Sequence, residues 1–308
     1  MRIFSDFATG GAGQPALDVT YLRERARTNL AGVRATLAIA SANGGVGKSV
    51  IAVNVAAALA LKGRKVALVD ADLNSPSIGA LLGIERPRRY PMIEGIEPIA
   101  GPHGLRVVSS DLLPGGEPPP HSFTSADGDG GADLVAPPPE RPAEMSYSEA
   151  LQRMFTQSQL GALDLLIVDL ATGIDRLHTV AAMVKLDGVL LLCHPAAHDA
   201  RMARRTIEIA GRAGTPISGI VENMVGYNCD SCRSVRPLWP EGDLHGVASE
   251  TKVPIIARLA FDPRLADSSD RGVLFVREHA ATPTARTLSD LANQIEEILL
   301  ARAAMSPV

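Results

Sequence analysis

Large aromatic side chains are scarce in this chain: Phe, Trp and Tyr together make up 4% of the residues, and there is one tryptophan. The core must therefore be built from Ala, Val, Leu and Ile. Cysteine is nearly as rare, with three copies, so a disulfide framework is not expected and a reducing, cytoplasmic compartment is. Long basic runs are missing and the formal net charge is -4, a balance that does not call for nucleic acid as a partner. No uninterrupted apolar run approaches the roughly 18–20 residues that span a bilayer. The opening "MRIFSDFATGGAGQP" lacks the basic-then-apolar order of a secretory signal. No membrane partner is expected.

What is present is a regular alternation. "TLAIAS", "KVALVDAD", "LRVVSS", "DLLIVDL", "GVLLLCHP", "PISGIVEN" and "VPIIARL" read as strands. Between and after them lie helical stretches: "VIAVNVAAALALKG", closed by Gly63, then segments near 146–157, 176–185 and 197–212, and finally "TARTLSDLANQIEEILLARAA". The strands are continuous apolar runs, the pattern of strands covered on both faces, so the expected class is α/β, a parallel sheet flanked by helices. Residues 1–33 are expected to form an N-terminal extension with a short charged helix over 17–32, and residues 34–303 one domain. Residues 114–143 interrupt that domain with Pro, Gly and Asp and almost no large apolar side chains; such a segment buries too little to offset ordering and is expected to be a disordered insertion. The apolar positions Leu288, Leu291, Ile295, Ile298 and Leu299 give the last helix one greasy face, expected to pack on the core rather than on a lipid surface.

The sharpest signal is "SANGGVGKSV", residues 41–50, set between a strand and a helix. In that context the loop Gly44, Gly45, Val46, Gly47, Lys48, Ser49 and Val50 reads as a phosphate cradle. Glycines let backbone N–H groups face phosphate oxygens, and the following helix adds its dipole. Lys48 would reach the β- and γ-phosphates, and Ser49 would place its hydroxyl on Mg²⁺. Asp169 closes the apolar strand "LLIVD", at the edge where α/β sheets bind ligands, and would support the metal through water. Gly173 is expected to turn its N–H to the γ-phosphate. Asp70 and Asp72, in "VDADLNSPS", also end a strand: Asp72 is placed to orient or deprotonate an attacking water and Asp70 to support the metal shell, unless either serves only as a turn or N-cap carboxylate.

The order of "GGVGKS", "VDADLNSPSI", "LLIVDLATGID", "GIVENM" with a cysteine pair after it, and "VPIIARLAFDPRLADSSDRG" resembles the Mrp/ApbC family of P-loop ATPases, within the MinD/ParA class, over roughly residues 34–300. The resemblance implies a doubly wound, mostly parallel sheet, a homodimer, ATP as the nucleotide, and the carriage of iron–sulfur clusters to apoprotein recipients. It places Asp72 at the water-activating acid, Asp169 at the second metal-associated acid, and Asn223 where the family reads the adenine edge. Two positions depart from the pattern. Asn43 stands where the family has a lysine that crosses the dimer to the partner's nucleotide, a type of charge worth roughly 10³ to 10⁵ in rate in related phosphoryl-transfer enzymes. Ala171-Thr172-Gly173 replaces a Pro-Pro-Gly. ATP binding with slow or absent hydrolysis is the expectation.

Cys229 and Cys232 form C-x-x-C in "NMVGYNCDSCRSVRPLWPEGD", within a loop over 224–240. Two copies meeting on a twofold axis supply four thiolates, enough for a bridging [4Fe–4S] cluster, as the resemblance implies. Zn²⁺ accepts the same ligand set, and a redox dithiol uses the same spacing. Cys193 reads as a core residue and His245 as a surface histidine. Two functions are carried forward: a homodimeric, ATP-binding cluster carrier, and a MinD/ParA-like positioning or regulatory switch without a cluster.

Overall fold

The computed structural model describes residues 19–85, 96–112, 147–228, 235–240 and 242–305. The expected insertion at 114–143, Cys229 and Cys232 lie outside the described residues.

The strands form one nine-stranded sheet. In chain order they are β1 (Thr36–Ala40), β2 (Val66–Ala71), β3 (Ile99–Ala100), β4 (Arg106–Val108), β5 (Leu165–Leu170), β6 (Gly188–Cys193), β7 (Ile217–Asn228), β8 (Val235–Pro237) and β9 (Ile255–Phe261). Across the sheet they run β3-β4-β2-β5-β1-β6-β7-β8, with β9 on β7. All pairings are parallel except those of the short β3 and β8. The chain thus winds outward from β1 in both directions, as the resemblance implied. Such a sheet opens a crevice beside β1 at its carboxyl edge.

Period-two alternation divides the core between the two faces of the sheet. Leu37, Ile39, Ile167, Leu190 and Leu192 face α2 (Lys48–Leu61), α9 (Phe275–Glu278) and α10 (Pro283–Met305). Ala38, Ala40, Leu166 and Val168 face α1 (Val19–Asn29), α4 (Tyr147–Gln157) and α5 (Ile174–Met183). Leu191, Cys193 and Ile220 pack with α6 (Ala197–Arg212) and α7 (Leu244–Thr251). In α2 every residue from Ile51 to Ala60 is buried, because alanine side chains let the helix lie close to both the sheet and α10. Asn54 is the polar member of that run: its Nδ2 donates to Val50 O and its Oδ1 accepts from Val276 N, fastening α2 to α9.

On α10, Leu288, Leu291, Ile295 and Leu299 are buried and Ile298 half-buried, so the apolar face packs on the core as expected. The charged helix near the N-terminus is docked rather than free: α1 lies on α4 and α5, and Asn29 Nδ2 donates to the carbonyls of Phe155 and Ser158 at 2.8 and 2.7 Å. Shorter elements, α3 (Ile78–Leu81) and α8 (Pro263–Asp270), complete the fold. Among the described residues no helix is long and apolar enough to cross a membrane.

β7 outruns β6. Beyond Asn223 its register with β9 shifts, and Met224 holds a left-handed φ of 57°, which few non-glycine residues adopt. This is a β-bulge, and bulges redirect strands. Past it, Gly226, Tyr227 and Asn228 pair with Pro237, Arg236 and Val235 of β8.

Candidate nucleotide site

The glycine loop leaves the tip of β1 and ends in α2. Gly47 is the N-cap of α2 with φ 86°, ψ 24°. A Cβ there would meet Asn223 Nδ2 at 2.7 Å, so both backbone conformation and close approach require glycine. Lys48 is buried, and its Nζ donates to Ser41 Oγ and Thr172 Oγ1, each at 3.0 Å. The ammonium is therefore held between the tips of adjacent strands β1 and β5. Burial lowers the Lys48 pKa, while the carboxylates of Asp169 and then Asp72 favour its charge. The Thr172 hydroxyl is one that the Pro-Pro-Gly sequence of the family pattern would not supply.

Asp70 and Asp169 are register partners on β2 and β5, yet their surroundings differ. Asp70 Oδ1 accepts from Asp72 N, and its Oδ2 accepts from Ser77 N, Ile78 N and Ser109 Oγ. Burial nonetheless pushes its carboxyl up to about 6. With its oxygens so engaged, Asp70 is the anchor of the 72–78 turn; the expected support of a metal shell is replaced by this scaffold role. Asp169 is the reverse case. It is fully buried and receives no backbone donor; neither oxygen has a close hydrogen-bond partner, and the Ser49 hydroxyl is the one side-chain donor that favours its charge. Burial, with Asp70 next to it, pushes its carboxyl up to about 7; nearby Ser49 and Lys48 oppose the shift. Buried carboxylate oxygens so sparsely served are rare and call for a partner. A carboxylate with open oxygens beside the Ser49 hydroxyl fits a hydrated divalent cation of the Mg²⁺ type.

The remaining expected residues fall around this centre. Asp72 is half-buried, with Oδ1 accepting from Ser75 N at 3.2 Å. Gly44 and Gly45 are exposed along the loop, and Val46 is buried beneath it. Ser49 and Val50 lie half-buried in the first turn of α2. Asn223 is buried and its Nδ2 donates to Val46 O at 2.9 Å; its amide N–H braces the loop. The Gly173 N–H, expected to face a γ-phosphate, donates instead to Ser41 O at 3.1 Å. Cys193 is buried in the core, its thiol pushed up to about 12 by burial, and His245 is exposed, as expected for both.

Sequence reasoning passed over three participants. Ser41 and Thr172 hold Lys48. Asp199, buried in the first turn of α6, accepts a hydrogen bond from Asn43 Nδ2 at 2.9 Å. The signal available for the hydroxyls was their position at strand ends. For Asp199 there was none, since its partner lies far away in sequence.

A glycine loop between β1 and α2, a buried lysine in it and a carboxylate at the end of the neighbouring strand define a P-loop NTPase, here with the doubly wound sheet of the MinD/ParA class. Comparison with known proteins makes this narrower. Residues 32–120 and 144–296 match the family model described as ParA, NUBPL iron-transfer P-loop NTPase, and the chain belongs to that family. An iron-sulfur cluster carrier protein of Saccharolobus solfataricus is 29% identical over 269 residues, covering 87% of this chain and 84% of that protein. A cytosolic Fe-S cluster assembly factor NUBP2 homolog of Trichoplax adhaerens is 31% identical over 265 residues, covering 84% and 93%. Among solved structures, a nucleotide-binding protein of Archaeoglobus fulgidus in complex with ADP aligns with a TM-score of 0.65 at 26% identity, over 86% of this chain and 95% of that one. The cell division ATPase MinD of Pyrococcus furiosus shares the fold, with a TM-score of 0.59 at 20% identity over 86% of this chain and 99% of that one.

Proposed function

We propose that this protein is a cytoplasmic, homodimeric, ATP-binding carrier of iron–sulfur clusters, with a slow or absent hydrolytic step. The observation that carries the reading is β7. At Asn223 this strand holds the nucleotide loop through Val46 O; one bulge later it reaches Asn228, next in sequence to Cys229. A single strand thus joins the loop that would take ATP to the pair that would take the cluster. The family membership and the names of its relatives support the same reading.

In this proposal Gly44, Gly45, Val46 and Gly47 present backbone N–H groups to phosphate, and Lys48 neutralises its charge after leaving Ser41 and Thr172. Val50, in the first turn of α2, completes the loop, and Asn223 supports the loop near the base. Ser49 and Asp169 would hold Mg²⁺, which supplies charge neutralisation on the phosphates when bound. Asp72 orients the attacking water. Asn43 brings no positive charge across the dimer, so the transition state lacks one source of stabilisation. Two copies of Cys229 and Cys232 provide the four thiolates of a bridging [4Fe–4S] cluster, the cargo for apoprotein recipients.

Anaerobic reconstitution with iron and sulfide tests this. A brown dimer absorbing near about 400 nm, with the colour lost in Cys229→Ser/Cys232→Ser, is the expected result. A colourless chain that binds zinc alone, or one that binds no metal and recruits a partner protein only with ATP, overturns the carrier reading; the second outcome favours the positioning switch.

A further inference from the structure

Asn43 directs its side-chain hydrogen bond outward from the nucleotide loop, and that bond begins a path to the chain's one tryptophan. Asn43 Nδ2 donates to Asp199 Oδ1. The same oxygen lies 4.0 Å from His194 Nδ1. His194 follows β6 directly, is 9% exposed, and leaves its Nε2 without a hydrogen-bond partner. Its ring stacks on Trp239, with centroids 4.4 Å apart and planes inclined by 21°. Trp239 Nε1 donates to Met224 O at 3.0 Å, the left-handed residue of the β7 bulge. A second tie fixes this end of the path. Gly242 N donates to Pro195 O at 2.9 Å, and a Cβ at Gly242 would lie 2.5 Å from the Ala196 carbonyl carbon. The backbone beyond Trp239 therefore lies directly against the backbone entering α6.

We propose that Asp199, His194 and Trp239 are positioning residues that couple the nucleotide loop at Asn43 to the hairpin of β7 and β8. The inference rests on the nucleotide-binding reading above and names the contacts through which occupancy would be felt. One Asp199 oxygen serves Asn43 and faces His194. If Asn43 turns toward a bound nucleotide, Asp199 loses that donor and the same oxygen is left facing the imidazole. Movement of the imidazole tilts the stack, and the indole carries the Met224 carbonyl with it. The cluster combines an unpartnered buried imidazole nitrogen, a shared carboxylate oxygen and a strained backbone residue. Cores built only for stability rarely leave all three together, and packed interiors pass on displacements instead of absorbing them.

Contiguity alone is not coupling, and Trp239 provides the measurement, because emission from the full chain reports a single indole. The full chain is titrated with Mg-ADP and Mg-ATP while calorimetry follows binding independently. Trp239 emission should change with the calorimetric midpoint. Asp199→Ala should still bind nucleotide but lose the emission change. His194→Leu, which keeps apolar bulk beneath the indole while letting go of Asp199, should do the same, and it replaces Asp199→Ala if that variant does not fold. In the double variant, nucleotide affinity should depart from the product of the single effects by about 3-fold or more. Calorimetric binding with an unchanging indole, or a response that survives both substitutions, overturns the relay and leaves the nucleotide site standing. No calorimetric binding overturns both.

Discussion

Replacing Asn43 by lysine restores the residue that the family pattern places there, but the new ammonium would enter beside Asp199, whose side chain is 10% exposed. Two unit charges about 4 Å apart attract by about 4 kcal/mol at an effective dielectric constant near 20. Position 43 is half-buried, so screening and the ordering of a long side chain reduce this to roughly 1–2 kcal/mol. That preference keeps the lysine within its own subunit by a factor of roughly 5 to 30. Asn43→Lys alone should therefore accelerate hydrolysis less than Asn43→Lys/Asp199→Ala, with the double variant faster by about that factor. Single-turnover phosphate release with Mg-ATP measures both, against Asp199→Ala as the control. Equal rates in the single and double variants would refute the capture of residue 43 by Asp199. Robust turnover by the unaltered protein would refute the slow-hydrolysis reading itself.

Two further outcomes test the centre of the site. Burial lifts the Asp169 carboxyl from 3.8 to about 7, so within that window the folded protein retains a proton that the unfolded chain releases; stability falls as pH rises through it, and the penalty is complete above about pH 7. Denaturant titration should accordingly find Asp169→Asn more stable than the unaltered protein at about pH 8 by roughly 1–4 kcal/mol, with the gain gone at about pH 4; Mg²⁺ should stabilise the unaltered protein at the higher pH and not the variant, and a pH-independent difference would contradict the assignment. Gly47→Ala combines a φ of 86° with a contact of 2.7 Å to Asn223 Nδ2, so it should cost roughly 1–3 kcal/mol in chemical unfolding and weaken nucleotide binding in calorimetry. Adding Asn223→Ala should return only the steric share, and full recovery would show that backbone conformation does not matter there.

The scaffold was legible wherever its cause was local. Helix α6 occupies the 197–212 stretch read as helical, and β5 and β2 follow their continuous apolar runs with the two aspartates on them. The glycine loop declared itself because its residue types and its strand-to-helix setting are adjacent in the chain. What escaped depends on distant partners. The roles of Asp70 and Asp169 look alike in sequence, since each closes an apolar strand; only the donors from Ser77, Ile78 and Ser109 separate a well-served anchor from a carboxylate with open oxygens. Asn223 was read as a ligand-reading amide; that its amide also donates to Val46 O depends on tertiary packing and left no local trace. β7 was read only as far as Asn223 because its continuation depends on pairing with β8 and β9, which no local pattern announces. The docking of α1 on α4 and α5 is of the same kind.

β1 lies between β5 and β6, and α2 is covered by α9 and α10 from the far end of the chain. During synthesis, then, the phosphate-binding motif leaves the ribosome long before either flanking strand or its covering helix exists. A nascent chain holding the complete motif has an apolar helix without most of its cover, and long-range closure of this kind is slow. The cover of the motif is thus completed only in the nearly finished polypeptide, and prematurely terminated products would carry the signature without the packing that sets its loop.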